Sequence, residues 1–133
     1  MPTILLVDDE ESDRKLMKAI LQASGYNVVE ACDSQQATRL FTEHLNEIKM
    51  LVTDIALPGE NGCEMARAMA GIKTDMNILF VSGHAGAEIC RFYGFPVSDL
   101  HFLRKPFTAR EFVDRVKYLL DGREMLPQTF LVA

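Results

Sequence analysis

No apolar stretch in this chain approaches the roughly 20 residues that a membrane-spanning helix needs. The longest, TILLV at 3–7 and ILFV at 78–81, are of strand length. The N-terminus, MPTILLVDDE, also lacks the basic region that a secretory signal places before its apolar segment, and acid follows the apolar run directly. The cytoplasm is therefore the expected compartment, with no membrane partner. Cysteines are few, odd in number and widely spaced at Cys32, Cys63 and Cys90, with no CxxC pair. Neither a disulfide framework nor a redox pair is expected, and buried free thiols are the reading that remains. Basic charge is scarce as well: 14 Lys and Arg stand against 19 Asp and Glu, a formal net charge of -5. That balance argues against direct contact with nucleic acid, which wants clustered cations. Finally, no GxxxxGK[ST] sequence is present for a nucleotide phosphate, and no repeat or low-complexity tract interrupts the chain.

What is present is the composition of a folding domain. Apolar residues make up 48% and charged residues 25% of 133 residues, close to the soluble average and enough for a single core. Short apolar runs alternate with segments of helical period. TILLV (3–7) reads as a strand, and residues 12–23 put Leu16, Met17, Ile20 and Leu21 on one helical side, ended by Ser24-Gly25. NVVEA (27–31) is a second strand, and Ser34 is expected to cap a helix carrying Ala37, Leu40, Phe41 and Leu45. KMLVT (49–53) is a third, followed by a turn at Pro58-Gly59 and a helix through CEMARAMA in which Met65 and Met69 face the core. NILFVS (77–82) is a fourth, with a helix around 87–93. HFL (101–103) is a fifth, before a helix opened by the capping box of Thr108 and Glu111 and ended at Gly122. That helix should bury Phe112, Val113, Val116, Leu119 and Leu120. Five strands alternating with five helices predict a doubly wound parallel α/β sheet covered on both faces, although alternation alone does not give the strand order.

Ligands of such sheets bind beyond the carboxyl ends of the strands, so the residues standing there matter most. The first strand ends in Asp8-Asp9, the third in Asp54, the fourth in Ser82, and the fifth leads to Lys105-Pro106. Carboxylates gathered in a partly buried pocket repel one another unless a cation compensates them. Oxygen ligands without histidine or cysteine suit a hard ion, and two or three carboxylates completed by water and phosphate are how Mg²⁺ is usually held. Lys105 adds a point charge suited to a phosphate oxygen. A carboxylate is a competent nucleophile toward activated phosphorus, and Asp54, exposed by the turn after it, is the expected nucleophile. Asp8 and Asp9 would hold the metal.

Four blocks taken together, LLVDDE at 5–10, TDIALPGENG at 53–62, VSGHA at 81–85 and LRKPF at 103–107, resemble the receiver domain of two-component response regulators, of the single-domain kind similar to chemotaxis regulators. The resemblance covers residues 3 to about 121, leaving 122–133 as a tail or linker. It implies a flavodoxin-like sheet in the order 2-1-3-4-5, and phosphorylation of Asp54 by a histidine kinase or a phosphotransfer protein. It further implies Mg²⁺ held by Asp8, Asp9, Asp54 and the backbone carbonyl of Ala56, with Ser82 and Lys105 on the phosphoryl group. Ser82 and the aromatic Phe102 match the family's switch positions. Through them the face of the fourth helix, fifth strand and fifth helix would be remodelled for an output protein, with homodimerisation left open. A cis Lys105-Pro106 peptide is implied too. Ala56 and His84 fall at two variable positions that influence phosphoryl loss; alanine cannot orient an attacking water, while His84 could offset that.

Two other functions compete on the same residues. One is a Mg²⁺-dependent aspartyl-phosphate hydrolase of small phosphate esters, which commonly places a second acid two residues after the nucleophile, where this chain has Ala56. The other is a flavodoxin-like cofactor binder, for which the acidic DDEES after the first strand is electrostatically hostile to a flavin phosphate. His44 and His101 lack metal-ligand spacing and read as surface or strand residues. An initiator methionine and a short tail slightly favour a stand-alone regulator, while blocks such as TDIALPGENG also resemble receivers fused to hybrid sensor kinases, so both arrangements stay open at this point.

Overall fold

The computed structural model describes residues 1–83 and 99–121, together with residues 88, 89, 91 and 94. Five strands, β1 (Thr3–Val7), β2 (Asn27–Ala31), β3 (Ile48–Asp54), β4 (Asn77–Ser82) and β5 (Phe102–Arg104), form one parallel sheet in the order β2-β1-β3-β4-β5. Four helices are found among the described residues: α1 (Glu11–Ala23), α2 (Ser34–Glu43), α3 (Gly62–Ile72) and a C-terminal helix, α4 (Ala109–Asp121). The helix expected around 87–93 falls largely outside the described residues, as do His84 and the tail from 122 onward.

The central strands are apolar on both faces because both faces are covered. Successive residues of β1 alternate between two cores: Leu5 and Val7 pack with Phe41 of α2 and Met65 and Met69 of α3, whereas Ile4 and Leu6 pack with Met17 and Leu21 of α1 and Phe112 and Val116 of α4. The period of two along the strands thus sends α2 and α3 to one side and α1 and α4 to the other, and the sheet is doubly wound. Phe112 and Val116 are fully buried and Leu119 nearly so, while Val113 and Leu120 are only partly covered.

Several local expectations shift. The cap of α2 is Asp33, not Ser34: its backbone is extended, at φ -152° and ψ 173°, and its carboxylate accepts from the Gln36 N–H at 2.7 Å, while Ser34 is already helical. A cap must sit outside the helix to turn its side chain back on the first free N–H groups. β5 begins one residue late because Asp99–His101 forms a 3₁₀ turn before it. The Thr108–Glu111 capping box is present, with reciprocal bonds of 2.9 and 3.0 Å. Leu16 lies outside the core at 63% exposure. The cysteines are also not three buried free thiols. Cys32 is free but exposed, Cys63 is buried and disulfide-bonded, and Cys90 lies outside the described residues. Spacing along the chain could not exclude a disulfide, because folding brings distant residues together.

A charged tie fastens α1 to the outer strand β2. Arg14 Nε pairs with Glu30 at 3.0 Å, Lys18 pairs with the other Glu30 oxygen, and Arg14 Nη1 donates to the backbone carbonyl of Asp8 at 2.9 Å. The hydrogen bond from Lys18, and then that from Arg14, holds the Glu30 carboxyl below its ordinary value of 4.5 against the opposing effect of burial. A depressed carboxylate contributes stability above its unfolded value and loses it as the pH falls through the folded one. Glu30→Gln should therefore cost about 0.5–1 kcal/mol at neutral pH, with the gap to the wild type closing in acid below the ordinary glutamate value. Urea unfolding of both proteins over that pH range measures it.

Candidate functional site

The strand ends meet as the sheet order requires. β1 and β3 are adjacent and in register, Val7 opposite Thr53, so Asp8 and Asp54 leave the sheet side by side. Carboxylate oxygens of Asp8, Asp9 and Asp54 all lie within 4.8 Å of one another. Asp8 is fully buried, Asp9 is exposed and Asp54 is partly buried. Lys105 reaches this group from beyond β5, its Nζ 2.8 Å from Asp8 and 3.1 Å from Asp54. Its backbone is fixed where the Lys105 N–H donates to the Ser82 carbonyl at 2.7 Å; the Lys105-Pro106 peptide is cis. Ser82 is buried at the end of β4, one residue beyond Val81, the β4 residue opposite Asp54. Phe102 is partly buried and stacked on Phe80, its register partner, with ring centroids 5.3 Å apart.

Electrostatics bind the group together. Burial raises the Asp8 carboxyl above its ordinary range, opposed by hydrogen bonds from Lys105 and from the Glu10 N–H. Burial alone would lower the Lys105 ammonium, but the hydrogen bond to Asp8 and the charge of Asp54 outweigh it and hold the ammonium above its ordinary value. Each partner favours the charged form of the other, although for Asp8 burial still outweighs that help. Formally, three carboxylates and one ammonium leave two negative charges. A mutually close oxygen trio with that residual charge fits a hard divalent ion such as Mg²⁺.

Asp54 is held by its chain neighbours on both sides. The Ala56 N–H donates to its Oδ1 at 3.0 Å, and Thr53 Oγ1 donates to the Asp54 carbonyl at 2.8 Å. α3 begins directly against it: the Gly62 N–H donates to the Ile55 carbonyl at 2.7 Å, and a Cβ at Gly62 would meet the Asp54 carbonyl oxygen at 2.1 Å. Within LPGENG, Gly59 supplies the turn at φ +83° and Asn61 caps α3 through the Glu64 N–H. Gly62 instead permits a close approach of backbone to backbone, a role that the turn reading of GENG does not include.

One charged residue was not anticipated. Asp13, in the first turn of α1, lies 3.2 Å from Lys105 Nζ. On sequence it reads as an ordinary first-turn acid, and its partner is 92 residues away. It also lines a cleft of ≈ 560 Å³ between α1 and the start of α4, walled by Leu16, Met17, Ile20, Pro106 and Phe107. His44 faces Glu47 at 2.7 Å at the protein surface, away from this group.

The response regulator receiver domain family matches residues 4–117. This chain belongs to that family. Receiver domains are signalling modules of two-component systems. Among similar proteins, the aerobic respiration control protein ArcA of Escherichia coli (strain K12) is 33% identical over 119 residues, which span 90% of this chain and 48% of ArcA. The sensor kinase CckA of Brucella abortus is 31% identical over 123 residues, 92% of this chain but 13% of the kinase. The chain thus spans half the length of such relatives or less. Among solved structures, a receiver domain protein from Clostridium thermocellum superposes with a TM-score of 0.81 at 26% identity, covering 95% of this chain and 99% of that one. A response regulator receiver protein from Sinorhizobium medicae gives 0.80 at 31%, covering 92% and 97%. No helix among the described residues is long and apolar enough to cross a membrane.

The close approach at Gly62 makes a paired test. Gly62→Ala should destabilise the domain by about 1–3 kcal/mol through forced overlap with the Asp54 backbone. Gly71→Ala, in the same helix but with nothing within 4 Å of the added carbon, should be neutral or stabilising by up to about 1 kcal/mol. Thermal unfolding of the two variants distinguishes them.

Proposed function

We propose that Asp54 is the phospho-acceptor of this receiver, taking a phosphoryl group from a histidine kinase or phosphotransfer protein in the cytoplasm, within a domain spanning 3–121. The observation that carries this reading is the position of its carboxylate. It is partly buried at a strand end, oriented by the Ala56 N–H, and set against one ammonium and two further acids. In the reaction a carboxylate oxygen of Asp54 forms a bond to phosphorus as the donor's P–N or P–O bond breaks. The bonding pair leaves with the donor, which takes up a proton, and the product is an acyl phosphate. The Lys105 ammonium offsets charge on the transferring oxygens, and the Ser82 hydroxyl is the proposed second donor to them. Mg²⁺, held by Asp8, Asp9, Asp54 and the Ala56 carbonyl, would neutralise phosphoryl charge when bound.

The output side of the reading is supported by how β5 is fastened. Arg115 Nη1 of α4 donates to the carbonyls of Phe102, at 2.7 Å, and Leu100, at 3.1 Å, so the backbone that carries Phe102 is tied to that helix. The fourth helix of the proposed output face lies outside the described residues. The hydrolase and flavin readings lose their ground: Ala56 offers no second acid, and the loop after β1 gathers Asp8 and Asp9 beside Asp54 rather than cradling a phosphate.

A small phosphodonor with Mg²⁺ should add one phosphoryl group to the wild type, acid-stable and base-labile by mass spectrometry. Unchanged mass, or labelling that survives Asp54→Asn, overturns the assignment. A protein donor must come within reach of Asp54, and the apolar cleft with exposed Leu16 at its rim adjoins that approach. With a histidine kinase that phosphorylates the wild type, Leu16→Asp should slow transfer about tenfold or more, as loss of an apolar anchor does at an interface. Labelling by the small donor should stay unchanged.

A further inference from the structure

The ammonium of Lys105 has three hydrogens, and three carboxylates take them: Asp8 at 2.8 Å, Asp54 at 3.1 Å and Asp13 at 3.2 Å. The three acids differ in standing. The Asp8 side chain is fully buried and that of Asp54 is 14% exposed, and both belong to the trio within 4.8 Å of one another. Asp13 comes from α1, has a side chain 47% exposed, and stands outside that trio. It therefore adds a negative charge and occupies a hydrogen of Lys105 without belonging to the cation group.

We propose that Asp13 is a positioning residue that draws Lys105 outward, away from Asp54, and thereby sets how readily anionic phosphodonors react there. This rests on Asp54 being the phospho-acceptor. An incoming phosphoryl oxygen needs one of the Lys105 hydrogens, and Asp13, the most exposed and most distant of the three partners, is the one that can release it. Until it does so, the donor meets an ammonium shared three ways and an additional negative charge within reach of its own. The penalty is electrostatic, so it grows with the charge of the donor and weakens as salt screens it.

The test compares the wild type with Asp13→Asn and Asp13→Glu, each first checked by thermal unfolding, and follows Mg²⁺-dependent phosphorylation by acetyl phosphate, a dianion near neutral pH, and by phosphoramidate, which carries less charge. Asp13→Asn should accelerate the acetyl phosphate reaction by about three- to tenfold at low ionic strength and the phosphoramidate reaction clearly less, with the gain shrinking as salt is added. Asp13→Glu should return the wild-type rates. Equal acceleration of both donors, an unchanged or slower acetyl phosphate reaction in Asp13→Asn, or an Asp13→Glu protein that behaves like Asp13→Asn overturns the proposal. A merely structural role for Asp13 would alter both donors alike. Failure of the wild type itself to be labelled is a separate outcome: it overturns the acceptor assignment, and this inference with it.

Discussion

The pairing of one ammonium with a fully buried carboxylate governs how this edge of the sheet is organised. Asp8 has no exposed surface, and an ionised carboxylate in that position is sustainable only with a charged partner and satisfied hydrogen bonds. Lys105 supplies the first, and the Glu10 N–H adds to the second at 2.9 Å. Because Lys105 belongs to the end of β5 while its partners leave β1 and β3, the contact spans 97 and 51 residues of sequence. It forms only when β4 lies between β3 and β5 in the observed order. The site and the strand order are one constraint seen from two sides.

That constraint would be soft without a stiff sheet beneath it. The strands carrying Asp8 and Asp54 are packed on both faces, with Leu5 and Leu51 in one core and Ile4, Leu6, Met50 and Val52 in the other. A slip of one residue would exchange these two sets and turn the acids away from each other. The backbone carbonyls near the acids are tied down as well, Asp8 through Arg14 and Asp54 through Thr53, with Gly62 letting α3 start in contact with the latter. Side chains held on a rigid frame can keep like charges at short range that mobile loops would let drift apart.

How much of this could be read from residue order alone follows from which forces are local. β1, β2 and β4 were legible to the residue because each is an apolar or β-branched run bounded by polar or turn residues. β5 was misplaced by one because three residues carry too little pattern to distinguish a strand from the 3₁₀ turn before it. Leu16 shares the apolar side of α1, but the buried arc of that helix is narrow, centred on Met17 and Leu21, and the helix meets a cleft where Leu16 stands. Asp8, Asp9, Asp54 and Lys105 were legible because their chemistry stands at strand ends and recurs in a known family. Asp13 and the disulfide of Cys63 were not, since each depends on what the fold brings near, and no local pattern encodes it.

The unbalanced charge that remains is what gives the site its chemistry. A design aimed at stability would place no trio of carboxylates within 4.8 Å, because each added acid raises the cost of ionising its neighbours. With only Lys105 beside them, the trio retains two negative charges, the complement of one divalent ion, and Asp13 brings a third. The ammonium is already shared among three acids before any phosphoryl group arrives, so it cannot neutralise both the trio and an incoming dianionic group. The proposed phosphorylation of Asp54 would therefore call on a divalent cation at the trio, and Lys105 would direct the charge it cannot by itself cancel.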